Sequence, residues 1–141
     1  MTSRIDPFSR SREAIHMRLH HLRGRKTADL VMRRGRVWKG KMMIVRWLPG
    51  VPKAEAQRRR QEGKPPASGM FLGTFASLKL SKKAVLRNRM RRRCREAFRV
   101  IVREREHVPT VQLLICPRSA SLKAPFTLIK EDVKAFLATL H

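Results

Sequence analysis

Between Ala84 and Arg105 the chain can satisfy its apolar side chains in only one way. Met90, Cys94, Ala97, Phe98 and Ile101 follow one another at intervals of four, three, one and three residues. At about 100° per residue they fall on one side of an α-helix, and they fit no single face of a strand. Asn88, Arg92, Arg95, Arg99 and Arg103 fall on the opposite side, bordered by Arg89 and Arg93 along one flank and by Arg91 along the other. A helix so divided must bury one stripe against a partner layer and leave a row of guanidinium groups outside. Lys79, Lys82, Lys83 and Arg87 lead into it, and only Glu96 and Glu104 oppose these cations between residues 79 and 105.

A solvated helix face normally mixes both signs of charge, and this one does not. The imbalance extends to the whole chain, which sets 34 Lys and Arg against 10 Asp and Glu for a net charge of +24 over 141 residues. That much like charge opposes compaction unless a polyanion relieves it. Nucleic acid is therefore the expected partner. A guanidinium presents a planar fork that matches phosphate oxygens, and Asn88 can both donate and accept, which phosphate alone does not require. No membrane partner is expected, because no run of about 18 apolar residues occurs. The N-terminal stretch is broken by Arg4, Arg10, Arg12, Arg18 and Arg23, so it lacks the apolar centre of a secretory signal. A transit peptide is also basic and acid-poor, but here the basic character continues along the chain, and a cytoplasmic location is expected.

Around the helix the pattern predicts a single α+β domain over residues 18–141, preceded by a flexible basic arm over 1–17 in which Ser3, Asp6, Pro7, Ser9 and Ser11 discourage regular structure. A first helix is expected over Lys26–Arg34, with Thr27 as N-cap, Gly35 as stop, and Leu30 and Val31 facing inward. Val37–Leu48 is expected as strand, with a turn or bulge at Gly40 that can divide it in two, and Pro49-Gly50 ends it. Residues 51–69 form a charged insertion with Arg58–Arg60, Gly63 and Pro65-Pro66, and its Ala54–Glu62 portion favours helix. Met70–Leu80 alternates as a strand, Val111–Cys116 is a short apolar strand ended by Pro117, and Leu128–Leu140 is a helix. In that last segment Ile129, Val133, Phe136, Leu137 and Leu140 make one stripe. The expected order, with the strand divided, is α-β-β-β-α-β-α. Cys94 and Cys116 sit among apolar neighbours and are expected as core thiols rather than as a disulfide or metal pair.

Catalysis by the chain's own side chains is not expected. The ten acids are dispersed, and the one adjacent pair, Glu131 and Asp132, consists of helix neighbours that do not face each other. No Ser/His/Asp or Cys/His arrangement suggests itself. His16, His20 and His21 are expected as surface or phosphate contacts, and no dedicated metal ligands are assigned. Residue chemistry by itself ends at a polyanion-binding α+β protein. A structural nucleic-acid protein of ribosomal or chromosomal type fits the composition equally well.

The residues themselves narrow the choice. Ala84-Val85-Leu86-Arg87-Asn88-Arg89, followed by Met90-Arg91-Arg92-Arg93-Cys94 and Arg95-Glu96-Ala97-Phe98-Arg99, resembles the Arg-Asn-Arg signature of the bacterial ribonuclease P protein family. Ser77–Lys83 resembles the family's basic approach to that helix, and Leu22-Arg23 with Val31–Gly35 resembles its first helix and closing glycine. The resemblance spans roughly residues 18–140. It implies a central sheet flanked by helices, with a left-handed crossover carrying the Arg-Asn-Arg helix. It also implies an RNA-binding subunit of an endoribonuclease that removes the 5′ leader from precursor tRNA, in which the RNA subunit performs catalysis with Mg2+ held mainly by RNA and substrate. The implied RNA-binding residues are Lys79, Lys82, Lys83, Arg87, Asn88, Arg89, Arg91, Arg92, Arg93, Arg95 and Arg99. The implied partners are the ribonuclease P RNA and precursor tRNA. A leader cleft between the first helix and the sheet maps onto Ala28, Met32, Arg46 and Trp47. Ala28 and Met32 stand where the family usually carries aromatic residues, and Arg46, with Trp47 beside it, stands in place of a strand aromatic.

Overall fold

A computed structural model describes residues 18–140; the expected arm over 1–17 lies outside them. Their elements are β1 (Leu19–His21), α1 (Arg25–Arg34), β2 (Arg36–Lys39), β3 (Met43–Pro49), α2 (Lys53–Gln61), β4 (Met70–Thr74), α3 (Ala84–Glu104), β5 (Val111–Pro117), a 3-10 turn (Ser119–Leu122) and α4 (Phe126–Thr139). The five strands form one mixed sheet in the order β1-β4-β5-β3-β2. β4 is parallel to both β1 and β5, whereas β3 is antiparallel to β5 and to β2. The α+β class is as expected, and α3 is the crossover between two parallel strands.

Period-two alternation gives the sheet two faces. Met43, Val45, Met70, Leu72, Val111, Leu113 and Ile115 point to one face and form the core with Cys94, Ala97, Phe98, Ile101 and Val102 of α3 and Ile129, Val133, Phe136 and Leu137 of α4. Phe98 and Phe136 meet edge to face, their centroids 6.1 Å apart. The opposite face carries Ile44, Arg46, Phe71, Leu114 and Cys116, and α1 covers part of it with the fully buried Val31. Both cysteines are free thiols. Burial pushes Cys94 up to about 11 and raises Cys116 as well, so both remain protonated at neutral pH.

The strand over 37–48 divides in two as expected, and the turn between the halves includes Gly40, whose N–H returns to Met43 O at 2.8 Å. Several boundaries differ from the sequence expectation. α1 begins at Arg25 with Gly24 at the N-cap, so Thr27 lies inside the helix and does not cap it. It ends before Gly35, whose N–H donates to Val31 O at 2.8 Å. The strand expected over Met70–Leu80 stops at Thr74: the Phe75 N–H donates to Ile115 O, and the chain then turns, with Leu80 N–H returning to Ser77 O. α4 begins at Phe126, directly after Pro125. β1 was not expected. It exists because β4 offers it a parallel edge, entered at Gly69, whose φ of +107° suits glycine and where a Cβ would stand only 2.6 Å from the Arg18 carbonyl oxygen.

Candidate nucleic-acid interface

α3 realises the division read from its sequence. Met90, Cys94, Ala97, Phe98, Ile101 and Val102 are buried, while Asn88, Arg89, Arg92, Arg95, Arg99 and Arg103 are exposed. The helix starts with neither an acid in its first turn nor a side-chain cap. Its amide-rich, dipole-positive end therefore adds to Lys79, Lys82 and Lys83, which are all exposed beside it.

The arginines do different work. Arg87 Nη1 donates to Ser81 O at 2.8 Å and fastens the approach segment to the first turn of the helix. Arg91 Nη2 reaches Ala76 O at 3.4 Å, and its Nη1 donates to Asn88 Oδ1 at 3.0 Å. With its oxygen so engaged, Asn88 presents its amide NH2 as a donor. Arg91 Nε is buried without a partner. Arg93 turns inward, its Nη1 donating to Ser121 O at 2.6 Å and Leu122 O at 2.9 Å and its Nη2 to Ala124 O. The sequence wheel placed Arg93 on the border of the cationic face, and the structure spends its fork on the segment before α4. Arg95 Nη2 donates to Thr74 Oγ1 at 3.2 Å. Arg99 pairs with Glu96 at 2.5 Å, and the hydrogen bond from Arg99 holds the Glu96 carboxyl below its ordinary range.

Between α1 and the sheet lies a depression that shares Met32 and Arg46, but not Ala28 or Trp47, with the cleft implied by the resemblance. It measures about 180 Å³ and is bounded by Met32, Ile44, Arg46, Phe75, Leu80 and Cys116, among others. Met32 and Arg46 do meet there, Arg46 Nη1 donating to Met32 O at 3.2 Å. Ala28 does not line it. Trp47 lies on the other face of the sheet, because adjacent strand residues point oppositely. Its ring meets Phe136 edge to face at 6.5 Å, and the Arg36 guanidinium sits 5.1 Å above it. Phe75, which sequence reading placed mid-strand without a role, is 48% exposed and supplies the aromatic surface at this cleft. Its signal in the sequence was slight: one aromatic residue just past the end of a strand.

An exposed guanidinium row on a sheet-backed helix, next to a cleft with an aromatic wall, defines the class: an α+β nucleic-acid-binding protein. The sequence profile of the family described as Ribonuclease P matches residues 17–141. A ribonuclease P protein component from Thermus scotoductus is 30% identical over 102 residues, covering 72% of this chain and 49% of that protein. One from Rickettsia bellii is 27% identical over 117 residues, covering 82% of this chain and 90% of its own. The chain thus spans about half the length of the first relative and most of the second. In fold it is similar to the RNase P protein from Thermotoga maritima, with a TM-score of 0.63 at 20% identity over 86% of this chain and 98% of the other. It is likewise similar to the Staphylococcus aureus RNase P protein, with a TM-score of 0.60 at 18% identity over 85% of this chain and 94% of the other. The chain belongs to the ribonuclease P protein family, whose members named here are ribonuclease P protein components. That membership sets aside the ribosomal or chromosomal alternative. No helix among the described residues is long and apolar enough to cross a membrane.

Proposed function

We propose that this chain is the cytoplasmic, RNA-holding subunit of ribonuclease P, and that it grips the catalytic RNA along the outer face of α3 while that RNA removes the 5′ leader of precursor tRNA. The observation that carries this reading is the two-sidedness of α3: a fully buried apolar stripe fixes the helix, so its exposed guanidinium row is presented in a set geometry. A rigid row can meet a folded RNA backbone without a large ordering cost. Arg87 and Arg91 hold the approach segment and Asn88 in place, and Arg89, Arg92, Arg95 and Arg99 supply phosphate contacts. The leader enters the cleft beside Met32 and Arg46, where Phe75 offers a ring for a base to stack on.

Bound to the RNA and substrate, magnesium would supply an activated water for phosphodiester hydrolysis. Several of the described acids have other partners: Glu55 and Glu96 are paired with arginines, and Asp132 accepts a backbone N–H. Among the described residues no three His, Cys, Asp or Glu side chains are grouped as a metal site would need. Reconstitution with a bacterial ribonuclease P RNA tests the proposal. The full-length protein should accelerate precursor tRNA cleavage at low magnesium and cut nothing alone. Cleavage by the protein without RNA, or no effect on the RNA's rate, would refute it.

A further inference from the structure

Arginines from three separate parts of the chain converge at the outer edge of the sheet. β1 is an edge strand, and an open cleft of about 450 Å³ lies along it. α3 contributes Arg95 and Arg99, α2 contributes Arg58 and Arg59, and the connection after β1 contributes Arg23. Phe71 also lines the cleft. The His20 ring is stacked on it, with centroids 4.6 Å apart and planes inclined by 20°, and His20 Nε2 donates to Ser68 O at 2.9 Å. The one acid in the lining is Glu55, which accepts from Arg58 at 2.7 and 2.8 Å and from Arg59 at 3.3 Å. Five guanidiniums against one carboxylate leave a large positive excess in a depression of nucleotide scale.

Arg95 and Arg99 belong both to this cleft and to the outer row of α3. A strand lying on that row can therefore continue around the sheet edge without leaving positive surface. This continuity favours RNA over an acidic peptide. We propose that the β1-edge cleft, walled by the α2 helix of the charged insertion, is a second RNA-binding site that takes a phosphodiester segment continuous with the RNA docked on α3. The proposal rests on the reading of α3 given above.

The ribonuclease P RNA and precursor tRNA share this chemistry, and two titrations separate them: binding of the full-length protein to the RNA subunit alone, and binding of precursor tRNA to the reconstituted holoenzyme. Arg23→Glu with Arg58→Glu, both exposed, should weaken the first roughly tenfold and flatten its salt dependence. Loss in the first titration supports the proposal, and loss confined to the second, which would place the substrate there instead of the RNA docked on α3, overturns it. Glu55→Gln should change the same titration in the opposite direction, because it removes the one carboxylate among the described residues lining the cleft, and a mere folding defect would not tighten binding. Unchanged affinities in both titrations for the double variant would overturn the proposal. Arg89→Ala serves as the independent control: if it weakens assembly while the double variant does not, the α3 reading stands and the edge site falls.

Discussion

Arg92 and Arg93 are adjacent and chemically identical, yet only the first faces solvent. Arg93 serves three carbonyls, those of Ser121, Leu122 and Ala124, and so ties α3 to the turn that launches α4. Arg93→Ala strips these acceptors of a charged donor in a half-buried setting, and the expected loss is about 2–3 kcal/mol of stability. Arg92→Ala should change stability by no more than about 0.5 kcal/mol while weakening RNA binding. Urea unfolding of both variants, followed by RNA titration, separates the two roles; equal stabilities would contradict the inward assignment of Arg93. No helical wheel could have foretold this difference. The wheel gives an angle around the axis, and the carbonyls that claim Arg93 come from 28 to 31 residues further on. The same limit hid Phe75, whose exposure depends on where β4 stops.

At the scale of elements, α3 and α4 were legible because their apolar spacing admits one solution, and β5 because a short apolar run between breakers has few alternatives. β1 was not legible: Leu-His-His has no alternation to detect, and only pairing with β4 makes it a strand. α2 could be read from composition as a helix former but not from pattern, since none of its residues is buried. Its local support is electrostatic, Glu55 reaching Arg58 and Arg59 one turn on. The element that matters most for function makes a quantitative prediction. Each exposed arginine of α3 that meets a phosphate should contribute about 0.7–0.9 to the slope of log affinity against log salt. Arg89→Ala, Arg92→Ala and Arg99→Ala should each lower that slope by up to this amount. Arg93→Ala should leave it nearly unchanged in folded protein. A salt series on the four variants checks this, and identical slopes for all would sink the division of labour.

For the whole molecule, the ends of the sheet are joined through its last strand. β5 lies between β4 and β3, so the β2–β3 hairpin and the β1–β4 pair make no ladder with each other. α4 adds a second tie, since Asp132 Oδ2 accepts the Met42 N–H at 2.7 Å and binds the last helix to the hairpin turn. Asp132→Ala should cost about 1.5–3 kcal/mol, and Asp132→Asn, which keeps an acceptor, clearly less. The urea midpoint should move while its slope stays constant. RNA affinity of the folded variants should be unaffected, because Asp132 is engaged at the hairpin turn by the Met42 N–H and is not one of the outer-face residues of α3; a parallel loss of affinity would show that the hairpin tie also shapes the RNA surface.

The central place of β5 has a consequence for biosynthesis. While a ribosome is still extending the chain through residues 84–104, the cationic helix has no finished sheet to lie on, and its greasy side has nowhere to go. Only when residues 111–117 have cleared the exit tunnel can the two halves zip together and the guanidiniums be set at their final spacing. A nascent chain stalled short of that point would carry the full cationic signature without the shape that gives it selectivity, attracting nearby polyanions indiscriminately.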